Sequence, residues 1–299
     1  MKIVNIIGGL GNQMFQYAFA LSLKYHFPNE EVLIDISHYN YLLFKKIGVV
    51  NLHNGFEMYN VFPHANLRIA TWKQIMKVSW YVPNYLLSRC VRKIMPQRRT
   101  ECLPPRKMSH VYDSKIYAIS GDCYYEGYWE SIKYYLPLRN VIIDTFRHPE
   151  PNDVNRHYIS EISTSNSVGI HVRRGDYLLH PAFKGICDIE YYKEAIKEIR
   201  KIKKNYVFYF FSNDLKWCEE YLKPLVEPDK VVLVHENTGK MSCWDMFLMT
   251  YCKDLIIANS TFSWWGAFLN ERKGRVIAPS KWTNRDVKYD MWDSTWIRL

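Results

Sequence analysis

The chain has 299 residues, of which 48% are hydrophobic and 16% aromatic, and carries a formal net charge of +10. That much apolar side chain excludes a disordered polymer, and the length suffices for two α/β halves rather than one small module. The positive balance asks for an acidic partner, whether a nucleotide, an anionic membrane surface or nucleic acid. Seven cysteines, at 90, 102, 123, 187, 218, 243 and 252, show neither C-x-x-C nor zinc-like spacing, which predicts a reduced, cytoplasmic chain without metal ligands. No leader-like segment and no run of eighteen apolar residues is present, so no membrane span is expected.

In chain order, an apolar strand over 2–7 runs into Gly8-Gly-Leu-Gly-Asn-Gln13, a helix over 13–25 and a strand over 31–35 ending in Asp35. This is a β-α-β opening. Its glycine turn is not a dinucleotide fingerprint, because Met14 stands where the third glycine belongs, and it lacks the Gly-Lys-Ser/Thr of a P-loop. Asn12 reads equally as an N-cap or as an amide presented to a ligand. Between 65 and 107, ten Lys/Arg accompany the single acidic residue Glu101, with Trp72, Ile75, Met76, Trp80, Leu86, Leu87 and Ile94 interleaved. This predicts a basic helical insertion, interrupted at Pro83.

Pro149, Pro151 and the polar run 163–167 mark the end of the first half, giving expected domains of 1–160 and 161–299. Thereafter β-rich runs at 168–173, 205–212, 231–235, 254–259 and 275–278 alternate with helical patterns at 189–204, 214–223, 242–252 and 263–271. That rhythm predicts a doubly wound, mostly parallel sheet.

Parallel strands open their C-terminal ends on one edge, so three polar clusters should meet there: His171/Arg173/Arg174/Asp176, Ser212-Asn213-Asp214, and Asn259-Ser260-Thr261-Phe262-Ser263. A charged cluster at the end of a buried strand is costly unless it meets an anion or another charge. Helix N-terminal N–H groups after Ser260, with Arg173 beside them, suit the phosphates of a nucleotide and could stand in for a metal ion. Asp214 matches the paired donors of guanine, and His171 the base or ribose. The structural alternatives are N-caps at Asp214 and Ser260, core packing for Trp264 and Trp265, and an Arg174–Asp176 ion pair.

Four ordered segments then carry a resemblance: Gly9-Leu-Gly-Asn-Gln-Met-Phe-Gln-Tyr17, His171-Val-Arg-Arg-Gly-Asp176, Ser212-Asn-Asp214 and Ile257-Ala-Asn-Ser-Thr-Phe-Ser-Trp-Trp-Gly266. They resemble the motifs of bacterial α-1,2-fucosyltransferases of glycosyltransferase family 11. The resemblance implies a GT-B fold, in which two Rossmann-like halves face each other across a cleft. It implies GDP-β-L-fucose as donor, inversion to an α linkage on the 2-hydroxyl of a β-galactoside, and no metal cofactor. It assigns Arg173 to the β-phosphate, His171 and Asp214 to guanosine, Thr261–Ser263 to the phosphates, and Asn12 to the bond being broken. Arg174, Ser212, Asn213, Asn259 and Ser260 complete the expected donor set.

On the acceptor side the expected residues are Gln13, Glu126, Tyr128, Trp129 and Glu130, with Tyr128 and Trp129 as an aromatic sugar platform or as core. Gly127-Tyr-Trp-Glu-Ser131 is similar to a family segment that carries Gln where this chain has Glu130; a carboxylate only accepts, whereas an amide also donates. Spacing identifies no general base, and Asp176, Glu126 and Asp35 all stand as options. Competing readings are a fucosyltransferase of other regiochemistry, α-1,6 or protein O-linked, and a nucleic-acid-binding protein using the stretch 68–107. That stretch also reads as a peripheral contact with anionic membrane on the inner face of the cell membrane.

Overall fold

The computed structural model describes residues 1–39, 54–82, 84–104, 110–202 and 205–299. Pro83, Arg106 and Lys107, which enter the sequence reading, lie outside them. The chain divides into two units, Met1–Pro149 with Val287–Met291, and Glu150–Asp286 with Trp292–Leu299. The division falls at 149/150 rather than at 160, so the helix over 153–164 belongs whole to the second unit.

In the first unit β1 (Lys2–Asn5), β2 (Val32–Asp35), β3 (Glu101–Cys102) and β4 (Cys123–Tyr125) form a parallel sheet in the order β2-β1-β4-β3. Helix α1 (Leu10–His26) starts three residues earlier than its sequence pattern suggests, and its N-cap is Gly9, which removes Asn12 from the capping role. Met14, Phe15, Tyr17, Ala18 and Phe19 of α1 are all fully buried. This helix is enclosed because aromatics after β4 pack on it: Phe19 stacks on Trp129 at 4.0 Å and meets Tyr134 edge-on at 5.3 Å.

The basic stretch does form helices, after a short helix α2 (Met58–Val61): α3 (Trp72–Val78), opened by a Thr71/Gln74 capping box, and α4 (Tyr85–Ile94), capped by Asn84. Its cations are partly consumed by the fold. Arg98 donates to the carbonyls of Met76, Lys77 and Ser79 at the end of α3, Lys77 pairs with Asp122 and Arg68 with Glu31. Arg92 is buried, pairing with Glu126 at 3.0 Å above the Tyr124 ring. Helix α5 (Arg139–Thr145) closes the unit.

The second unit holds β5 (Ser167–Val172), β6 (Val207–Ser212), β7 (Lys230–Val234), β8 (Asp254–Ile256), β9 (Val276–Ala278) and β10 (Ile297–Arg298) in the parallel order β10-β9-β8-β5-β6-β7. Every residue of β5 is buried, as a central strand covered on both faces must be. Gly169 lies where a Cβ would come within 2.9 Å of both Leu255 and Cys252. The absence of a side chain there lets the next layer approach the sheet. The helices are α6 (Asp153–Thr164), α7 (Asp176–Leu179), α8 (Ile189–Arg200), α9 (Leu215–Trp217), α10 (Lys223–Val226), reached through a π turn, α11 (Cys243–Tyr251) and α12 (Thr261–Phe268).

Strand order in both sheets reverses direction beside a central strand, between β1 and β4 in the first unit and between β5 and β8 in the second. Open parallel sheets bind ligands off the strand C-termini at such switch points.

Candidate active site

In the second unit the three predicted clusters do meet on one sheet edge. The β5/β8 switch point brings His171 beside the first turn of α12, its ring 5.7 Å from that of Phe262, while the Tyr177 hydroxyl reaches the Asn259 carbonyl at 3.4 Å. The Arg174 N–H donates to Asn213 Oδ1 at 2.9 Å, which ties the loop after β5 to the loop after β6. Gly175 adopts φ 55° at this point, a left-handed turn open to glycine.

The two arginines divide their tasks differently from the sequence reading. Arg173, not Arg174, pairs with Asp176, at 3.0 Å, and its guanidinium lies over the Tyr177 ring. Arg174 pairs through Nε with Asp214 Oδ2 at 3.1 Å and stacks on Trp217 at 4.2 Å. Asp214 also caps α9, accepting from the Trp217 N–H, and Ser212 Oγ accepts from the Asp214 N–H. The capping role is thus realised at Asp214, which spends one contact of each carboxylate oxygen internally. Asp176 holds Arg173 in place, which makes it a positioning group more than a free base.

Two polar features are left open. Ser260 occupies the N-cap of α12, yet its hydroxyl caps nothing, so the first N–H donors of that helix remain available. Beside them the Nδ1 of His171 is buried without a hydrogen-bond partner. Burial, and then the Arg173 guanidinium, push the His171 pKa down to about 3, so the ring is neutral. Ser263 donates to the carbonyls of Ala258 and Ser260, and Asn259 Nδ2 to that of Trp282, so both shape the turn. Thr261 and Phe262 are half-buried at its mouth. Trp264 and Trp265 are core residues, fully buried.

Sequence reasoning passed over Asp245 on α11. Burial pushes its pKa up to about 7, against the hydrogen bond from Asn237 at 3.0 Å and with the Glu236 charge adding to the rise. A lone Asp in an apolar helix gives no sign of such burial.

In the first unit, Gly8 at φ 83° closes the turn after β1, and Asn12 lies over it, its Nδ2 2.7 Å from where a Cβ would be. Asn12 is half-buried and remains available to a ligand. Gln13 is a different matter. It donates to the carbonyls of Gly8 and Gly55 and accepts from the Glu57 N–H, so it pins loops and is not an acceptor contact. Asp35 is equally engaged, by the Tyr124 hydroxyl, the Ser37 N–H and Asn5 Nδ2, and is no general base. Glu126 is tied to Arg92.

Trp129 takes φ 57°, which for a bulky residue costs about 1–3 kcal/mol, and drops into the core with 1% exposure. It therefore does not belong to a sugar platform. Tyr128 stays half-buried at the rim. Glu130 meets His110, a residue the sequence reading missed because its partner is 20 positions away.

Two parallel Rossmann-like sheets, with cations and open helix donors at the strand ends of the second, define a glycosyltransferase of the GT-B class. The fucosyltransferase NodZ from Bradyrhizobium shares this fold at 16% identity and a TM-score of 0.51, with 90% of this chain and 91% of that one covered. The chain belongs to glycosyl transferase family 11, whose model matches residues 106–299. It is 32% identical to an alpha-1,2-colitosyltransferase of Escherichia coli, over 99% of this chain and 98% of that protein. It is 30% identical to the O-antigen biosynthesis glycosyltransferase WbnK of Escherichia coli, over 98% of each.

Proposed function

We propose that the chain transfers L-fucose from GDP-β-L-fucose, with inversion, to the 2-hydroxyl of a terminal β-galactoside, and that it needs no metal ion. The observation that carries this reading is the uncapped start of α12 beside Arg173 and the unpartnered Nδ1 of His171. These are donors and a neutral ring, arranged as a pyrophosphate with its nucleoside would require. In direct displacement, negative charge grows on the leaving β-phosphate. Arg173 and the α12 N–H groups neutralise it, the role a divalent cation fills elsewhere. Arg174, anchored on Asp214 and Trp217, keeps the β5 and β6 loops in register for the base.

The α-1,2 linkage is favoured over α-1,6 or protein O-linked transfer by the ordered motifs and by the linkage in the colitosyltransferase's name. That same relative favours a second reading of the donor. Colitose is L-fucose without the 3-hydroxyl, so GDP-colitose would fit the same charge-binding edge. An O-antigen glycan is the acceptor class suggested by WbnK.

The test is a panel of β-galactosides offered with GDP-fucose or GDP-colitose, and linkage assignment of the product by NMR. Transfer of fucose to O2 of galactose is expected. A product linked elsewhere, or transfer of colitose alone, contradicts the leading reading.

A further inference from the structure

Arg174 is held at more points than a tie between two loops requires. Its backbone N–H donates to Asn213 Oδ1 at 2.9 Å, its Nε donates to Asp214 Oδ2 at 3.1 Å, and the guanidinium lies over the Trp217 ring at 4.2 Å. All four residues belong to the second unit. Together these contacts fix the plane of the guanidinium and the direction of its far end. The two terminal nitrogens at that end have no hydrogen-bond partner among the described residues and are not sealed from solvent, the side chain being 21% exposed. An immobilised pair of parallel N–H groups calls for two acceptors side by side. Guanine carries such a pair, O6 and N7, on its outer edge; adenine sets an amine beside N7, and pyrimidines have no N7.

We infer that Arg174 selects guanine, its terminal nitrogens donating to O6 and N7 of the base, with Asp214 and Trp217 as positioning residues. This rests on the GDP-sugar proposed above. Both oxygens of Asp214 are engaged, one by Arg174 and one by the Trp217 N–H, so the carboxylate aims the arginine. Adjacent residues leaving a strand turn to opposite sides. Arg173 accordingly lies over Tyr177, whose hydroxyl reaches the Asn259 carbonyl after β8, while Arg174 lies over α9 after β6. One arginine is thus placed for the phosphates and its neighbour for the base. A lysine at 174 keeps the charge but, as a point charge without a planar fork, does not serve O6 and N7 together.

The experiment measures the affinities of GDP, of 7-deaza-GDP, in which a C–H replaces N7, and of ADP by calorimetry on the full chain, for the parent, Arg174→Lys and Arg174→Met. The parent binds GDP about tenfold or more tightly than either of the other nucleotides, as loss of a hydrogen bond to a charged group requires. Both variants lose about tenfold to a hundredfold in GDP affinity and much less for 7-deaza-GDP and ADP. The preference for GDP over each then shrinks to within about threefold.

A parent that binds GDP and 7-deaza-GDP alike overturns the inference, a reading that needs no variant to fold. So do variants that lose all three nucleotides in equal measure, in part or completely, because that pattern belongs to an arginine that only ties the loops together. A parent that binds no GDP overturns the proposed function, and this inference with it. A parent that transfers fucose from GDP-fucose while its variants keep the full preference for GDP overturns this inference alone.

Discussion

At the scale of single residues, burial sets two protonation states in opposite senses. Asp245 has its folded pKa raised from 3.8 to about 7, so the stability it confers is present below the unfolded value and lost as pH rises through about 7. His171 has its folded pKa lowered from 6.5 to about 3, so its contribution is present above 6.5 and lost as pH falls. Between about pH 4 and 6.5 the two slopes oppose and largely cancel. Asp245→Asn is expected to uncover the His171 slope, with denaturant-derived stability rising by on the order of 1 kcal/mol per pH unit across that window. An unchanged pH profile in the variant would contradict this.

The residue types were legible in the sequence, whereas their partners were not. Two adjacent arginines and two aspartates allow more than one pairing, and only the loop geometry decides that Arg173 takes Asp176 and Arg174 takes Asp214. Likewise Tyr128 and Trp129 look alike as aromatics, and one positive φ sends the second into the core.

At the scale of elements, the strands and helices of the second unit were readable because each strand is an apolar run and each helix a periodic one. The first unit was less so. β3 and β4 are two and three residues long, too short for any period, and they are identified only by pairing, β4 with β1 and β3 with β4. The start of α1 was misjudged because Gly9 caps it through backbone alone.

Close layer packing gives a prediction here. Gly169→Ala places a methyl against Leu255 and Cys252 and should cost about 1–3 kcal/mol, seen as a lowered Tm with GDP affinity retained. A Tm equal to the parent's means the α11–β8 layer gives way more easily than its spacing indicates. At α12, Ser260→Ala should leave stability nearly unchanged, since its hydroxyl caps nothing, in contrast to the ~1 kcal/mol loss usual at an N-cap. A loss of that size would show that the hydroxyl caps the helix in solution.

At the scale of the whole molecule, internal ion pairs leave the net charge of +10 unchanged but reduce the number of cations that can face a partner. Among the described residues of the basic stretch, Lys73, Arg89, Lys93 and Arg99 enter no ion pair, and Trp72 and Met76 of α3 and Leu87 and Ile94 of α4 are exposed. No described helix is long and apolar enough to cross a membrane. As a proposal, these helices make a peripheral contact with anionic lipid. Reversing those four charges should abolish sedimentation with phosphatidylglycerol vesicles while leaving turnover of a soluble acceptor intact. Undiminished sedimentation removes the membrane reading.

The central claim is that protein donors on the second unit absorb the charge of departing GDP. Its most direct test is fucose transfer by the parent and by Arg173→Ala, each with and without EDTA. The account predicts parent turnover unaffected by EDTA, and a loss of about a hundredfold or more in the variant. Turnover that EDTA abolishes and a divalent cation restores, or an Arg173→Ala enzyme near parental activity, would contradict it.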